Sequence, residues 1–114
     1  MTISLDNISL NNIGLIFIFI GAIIEALADI FFKIWNDKGD IYLIIIGTVL
    51  YLIGTGFWVI SLRYESFTKS GTIFLLLNVI LLSLIGSFLF KDNISLINRI
   101  GIAIGIVSII MIDA

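Results

Sequence analysis

The chain contains no cysteine, no histidine and no proline. Without the first two there are no disulfide scaffolds, thiol nucleophiles, cysteine–zinc sites or histidine general bases. Without proline, no helix can be kinked by a missing backbone donor. Charge is scarce as well, at 12% of residues and a net −2 with no basic cluster, which leaves no footprint for nucleic acid. No nucleophile–base pair and no cluster of metal ligands stands out. The expectation is therefore a protein that is not an enzyme and carries neither cofactor nor metal.

What remains is apolar. Hydrophobic residues make up 61% of the 114, with a mean hydropathy of +1.26, against about 45–50% in soluble domains. A soluble fold of this length has too little interior to hide that surface, so lipid is the expected solvent. Four segments carry it, at residues 14–35, 41–62, 70–90 and 94–112. Each is close to the roughly 20 residues needed to cross about 30 Å of hydrocarbon. Backbone groups cannot stay unpaired there, and none of the segments alternates in polarity as a barrel strand would, so all four are predicted helices. The connectors are short and polar, at residues 36–40, 63–69 and 91–93. Trp35, Tyr42 and Tyr64 fall at segment ends, where amphipathic rings anchor. Residues 1–12 read as a polar N-terminal tail or interfacial cap without the basic region of a secretory leader. Residues 13–114 read as one four-helix unit, an all-α, multi-pass protein of the cell membrane.

The first and third connectors share one side of such a membrane; the second connector and both termini share the other. Lys33, Lys38, Lys91 and Arg99 fall on the first side, Arg63 and Lys69 on the second, a split of 4 to 2. Basic residues near helix ends set orientation. So small a bias is compatible with a weakly fixed topology or with two orientations that pair antiparallel.

Glu25 sits near the middle of the first segment, where a charged side chain costs about 3 kcal/mol on insertion scales. An acid at that depth is a candidate functional group. Glu25, Asp29 and Lys33 follow one another at intervals of four, on one helix face, with Gly21 a turn earlier to admit a neighbouring backbone. Asp29 and Lys33 are expected to pair near the helix end, which leaves Glu25 alone. Desolvation favours its neutral form, so it would hold a proton and release it when a cation takes its place.

The other helices offer surfaces to meet it. Thr48, Tyr51, Thr55 and Trp58 form a stripe of hydroxyls and rings on the second helix, suited to hydrogen-bond Glu25 and to face a cation. Gly47, Gly54 and Ser61 form another, seven residues apart, suited to close packing. Asn78 is the only amide of the third segment, with Phe74 one turn earlier; it could be site or helix-to-helix glue. In the fourth, Gly101, Gly105 and Ser108 make a small-residue face for helix association.

Taken together, the stretch GAIIEALADIFFK at residues 21–33, with Glu25 and, eight residues on, Lys33, resembles the small multidrug resistance transporters of the drug/metabolite transporter superfamily. Tyr51 falls where that family has a substrate-side tyrosine, and Gly101 and Gly105 fall in the helix that forms much of its dimer contact. The resemblance implies an antiparallel homodimer in the bilayer, with two Glu25 carboxylates sharing one site. Protons and small cationic substrates would compete there, with Tyr51, Trp58, Phe74, Asn78 and Asp29 around them.

The departures bear on the substrate. Phe74 stands where the family usually has tryptophan, Gly71 where it has an aromatic, and Leu76 and Asn78 where a glycine pair bends the third helix. Asp29 is an acid unusual in its drug exporters. The wall is accordingly expected to grip flat aromatic cations poorly, with Tyr51 and Trp58 as its main rings. Smaller cations, polyamines and lipid-linked sugars are the open alternatives. A lipid-linked sugar flippase, alone or as half of a heterodimer, and a non-transporting membrane subunit are the alternatives.

Overall fold

A computed structural model describes residues 5–114, with side chains from Ile13 onward. Four α-helices follow one another: α1 (Leu5–Lys38), α2 (Ile41–Ser61), α3 (Phe67–Phe88) and α4 (Leu96–Asp113). All four contain a stretch long and apolar enough to cross a membrane, which in α1 runs Ile13–Lys38. The chain is thus an all-helical, multi-pass membrane protein.

The ends of the helices differ from the sequence expectation in places, for identifiable reasons. α1 begins at Leu5, so the expected tail is helical over residues 5–12; residues 1–4 lie outside the described residues. At its other end α1 runs three residues past Trp35, and Gly39, at φ +75°, closes it by donating to the Trp35 carbonyl at 2.6 Å. That left-handed conformation suits glycine. Asp40 then caps α2 by accepting from the Tyr42 amide, so two residues link the two helices. α3 starts at Phe67 rather than residue 70 because the Ser66 hydroxyl accepts from the Lys69 amide; Ser95 caps α4 in the same way on Asn98.

α1 packs along α2 and also against α3, while α4 rests on α3 alone. The buried residues of α2 are Gly47, Gly54 and Ser61, the small stripe seen in the sequence. At the crossing, a Cβ built on Gly54 would lie 2.9 Å from the Gly21 carbonyl oxygen, and one on Gly21 2.8 Å from the Gly54 oxygen. Only glycine at both positions allows this approach. Ile18, Ala22, Ile73, Phe74 and Leu77 form the core between α1 and α3. Tyr64, expected as an anchor, stacks on Phe17, which in turn stacks on Phe57. α4 buries no residue fully, and its outward side chains, Ile97, Ile104 and Met111 among them, are exposed.

One ion network ties α4 to the rest. Lys69, in the first turn of α3, lies 3.2 Å from Glu65 and 3.2 Å from Asp113 at the end of α4. The Glu65 side chain is only 5% exposed and packs on Gly14. Removing the cation would strand a buried carboxylate, a cost of about 1–3 kcal/mol. Lys69→Met should therefore lower unfolding stability by about that much. Lys33→Met, which breaks the half-exposed Lys33–Asp37 pair, should change it by less than about 1 kcal/mol. Unfolding titrations of both variants in mixed micelles check the contrast.

Candidate functional site

The close α1–α2 crossing is what shapes the site. Because Gly21 and Gly54 let the backbones nearly touch, Glu25 lies directly over α2, with its Cγ 2.7 Å from where a Gly54 Cβ would be. Its carboxylate accepts a hydrogen bond from the Thr55 hydroxyl at 3.0 Å, the kind of contact expected of the second-helix stripe. Glu25 is 7% exposed.

Beside it opens a cleft of about 730 Å³, walled by α1, α2 and α3. Glu25 and Asp29 line it from α1; Tyr51, Thr55 and Trp58 from α2; Gly71, Phe74 and Asn78 from α3. The six residues expected to bind proton or substrate, Glu25, Asp29, Tyr51, Trp58, Phe74 and Asn78, are thus all brought to one surface. Tyr51 stands at the rim, 44% exposed. The Trp58 ring sits 6.2 Å from Phe74 and 6.3 Å from Phe67. Phe74, however, is 8% exposed and belongs to the core. It supports the Trp58 ring more than it presents a face of its own. Gly71 opens the wall beside Trp58, whose nearest ring carbon would be 3.9 Å from an added Cβ.

Two expectations are corrected. Lys33 does not pair with Asp29: its ammonium is 3.6 Å from Asp37, one turn nearer the helix end. A lysine stem at membrane depth directs its charge toward water, and Asp37 lies on that side. Among the described residues Asp29 makes no ion pair, and it faces the cleft with Glu25. Thr48, the fourth member of the second-helix stripe, is exposed and donates back to the Ile44 carbonyl instead of reaching the acids.

Five lining residues were not anticipated, Leu75 and Leu82 among them. Phe67 and Thr68 enter because the Ser66 cap begins α3 earlier than its apolar run does, and Thr72 follows one turn on from Thr68. Two lining side chains also carry buried polar atoms without a partner among the described residues, Trp58 Nε1 and Asn78 Oδ1. The Asn78 amide donates to the Phe74 carbonyl within its own helix at 3.3 Å.

The small residues of α4 lie apart from the cleft. Gly101 is exposed, with nothing within 4 Å of an added Cβ; at Gly105 the nearest atom is Ile80 Cδ1 at 4.0 Å. Ser108 donates to the Ile104 carbonyl of its own helix. None of the three is used to pack the protomer tightly.

Among the described residues no group of three or more acidic, cysteine or histidine side chains gathers as a metal site. The cleft presents two carboxylates beside the rings of Tyr51 and Trp58. No protein family, curated protein or solved structure matches the chain.

Proposed function

We propose that the protein is a proton-coupled exporter of small cations in the cell membrane, similar to the small multidrug resistance transporters and acting as an antiparallel homodimer. The observation that carries the reading is the placement of Glu25: a carboxyl group midway along an apolar span, hydrogen-bonded by Thr55 and lining an open cleft, with no ion-pair partner among the described residues. A charge buried without a partner is unfavourable. The carboxyl group holds a proton when the cleft is empty and gives it up when a cation arrives. Neither bound form leaves an isolated charge, and the two forms exclude each other. That exclusion is the minimum requirement for exchange.

The shape of the protomer supports a second copy. Three helices, α1, α2 and α3, wall the cleft, and α4 rests on α3 alone, so no fourth element closes it. A partner copy laid antiparallel would close it and bring a second Glu25 to the site. α4 offers the contact. Gly101→Leu places its Cβ in open space, with no atom of the protomer within 4 Å, so it tests the contact with little strain on the monomer. The expected result is loss of cross-linked dimer with unchanged helicity; full cross-linking would move the interface elsewhere.

The function itself is tested in proteoliposomes with an imposed proton gradient. Uptake of small ammonium compounds against proton exit supports exchange, and flux indifferent to the gradient contradicts it. Large flat aromatic dyes should bind weakly, since Phe74 is turned into the core and Gly71 carries no ring. Tight dye binding, read by quenching of the tryptophan fluorescence, would show that Tyr51 and Trp58 suffice.

A further inference from the structure

We infer that Ser61 and Ser70 are positioning residues: their buried hydroxyl pair pins α2 to α3 and so fixes where the Trp58 ring stands in the cleft. The consequence for transport rests on the exporter reading above; the placement of the ring does not.

α2 and α3 each pack on α1 and touch each other little. Among the described residues one side-chain hydrogen bond crosses between them, joining the Ser61 and Ser70 hydroxyls, and both residues are 0% exposed. Ser61 Oγ also donates to the Trp58 carbonyl. A hydroxyl has a single hydrogen to give, so Ser70 is the donor in the pair. A chain of bonds thus runs from α3 through Ser61 to the backbone of Trp58.

The Trp58 side chain crosses in the same place. Phe67, Ser70, Gly71 and Phe74 recur at i, i+3, i+4 and i+7, on one face of α3. On that face the Trp58 ring lies 6.3 Å from Phe67 and 6.2 Å from Phe74, with Cζ2 3.9 Å from where a Gly71 Cβ would be. Ser70 is the polar member of this socket. Ring contacts tolerate sliding, and in lipid no hydrophobic gain presses α2 onto α3. A buried hydroxyl that slid away from its acceptor would lose its hydrogen bond outright. The serine pair therefore sets a register that the rings leave loose. The connector keeps the two serines in reach: the amides of Leu62, Arg63 and Tyr64 donate to the carbonyls of Val59, Ile60 and Ser61, a hydrogen-bonded turn rather than a slack loop.

Glu25 is placed by other means, the Thr55 hydroxyl and the Gly21–Gly54 crossing, both between α1 and α2. Ring and acid are thus set independently, and a change at the serines should separate them.

The test follows Trp58 alone, in a Trp35→Phe background, since the chain has two tryptophans. Ser61→Ala, Ser70→Ala and the double variant are compared in the full chain in detergent. Losing one neutral hydrogen bond shifts an equilibrium by about five-fold. Each single variant should therefore shift Trp58 emission, raise its quenching by acrylamide, and raise the half-saturating concentration of butylammonium by up to about five-fold. The pH at which the protein gives up its protons should stay where it was. The double variant should go no further than Ser61→Ala, because Ser61 belongs to both bonds; independent packing effects would add. Ser70→Cys, similar in size but a weaker donor, should fall between Ser70→Ala and the native chain. Unchanged Trp58 emission and quenching in both single variants, additive effects in the double variant, or loss of proton affinity along with cation affinity overturns the inference and leaves the exporter standing. The expected shifts of Trp58 in a chain that binds no ammonium compound uphold the inference and overturn the exporter.

Discussion

Glu25→Gln should abolish proton-driven cation flux in proteoliposomes while the protein still inserts and assembles. Glutamine keeps the length of the side chain, and its amide oxygen can still accept from the Thr55 hydroxyl, which lies 3.0 Å from the native carboxylate. Packing against Gly54 is likewise conserved. What disappears is the only property that a proton and a cation can compete for, a charge that is removable. The loss should be complete, because nothing else in the cleft occupies that position at the helix crossing. Asp29, one turn away and half-buried, should not substitute for it. Glu25→Asp, shorter by one methylene, should retain exchange at a reduced rate, since the titrating group survives while its contact with Thr55 lengthens. Flux at native rates in Glu25→Gln would mean that the acid is structural.

The next largest effect should come from Gly54→Leu. A Cβ at this position would sit 2.7 Å from Glu25 Cγ, 2.9 Å from the Gly21 carbonyl oxygen and 3.2 Å from the Glu25 amide nitrogen. Two of those neighbours are backbone atoms of α1, which cannot rotate away. The helices have to separate, and with them the crossing that presents Glu25. Overpacking of this kind costs about 3 kcal/mol, and in a membrane no hydrophobic gain offsets it, because lipid is as apolar as leucine. Gly56→Leu is the control. It has the same chemistry two residues along, but nothing lies within 4 Å of its Cβ position, so its stability should change by no more than about 0.5 kcal/mol. Unfolding of the two variants in mixed micelles, followed by helicity, reads the difference. Equal stabilities would show that α1 and α2 do not cross as closely as Gly21 and Gly54 allow.

Much of this architecture was legible in the residues. The four spans follow from composition, because apolar runs of about twenty residues with few charges leave the backbone no alternative to helix in lipid. The stripes of α2 were legible for a different reason: a period near 3.6 separates Tyr51, Thr55 and Trp58 from Gly47, Gly54 and Ser61, and the structure puts the first set on the cleft, Gly47 and Gly54 against α1, and Ser61 against Ser70 of α3. Helix ends were less legible. Polar residues 5–12 continue α1 even though their composition resembles a connector, and Ser66 starts α3 ahead of its apolar run. The partner of Lys33 was not legible from spacing, since Asp29 and Asp37 lie four residues to either side of it. Only the direction of the lysine stem, toward the helix end, decides between them. The depth of Phe74 was hidden too, because its burial depends on α1 lying against α3 at Ile18 and Ala22.

Proton release is the most direct measurement of whether Glu25 is shared between proton and cation. Detergent-solubilised protein in weak buffer, below the pH at which its cleft acids are fully ionised, is mixed with a saturating small ammonium compound while the pH is recorded. The expected result is acidification on mixing that scales with protein, is absent in Glu25→Gln, and fades as the starting pH is raised until the acids are already ionised. Cation binding with no proton released at any starting pH would contradict the shared site.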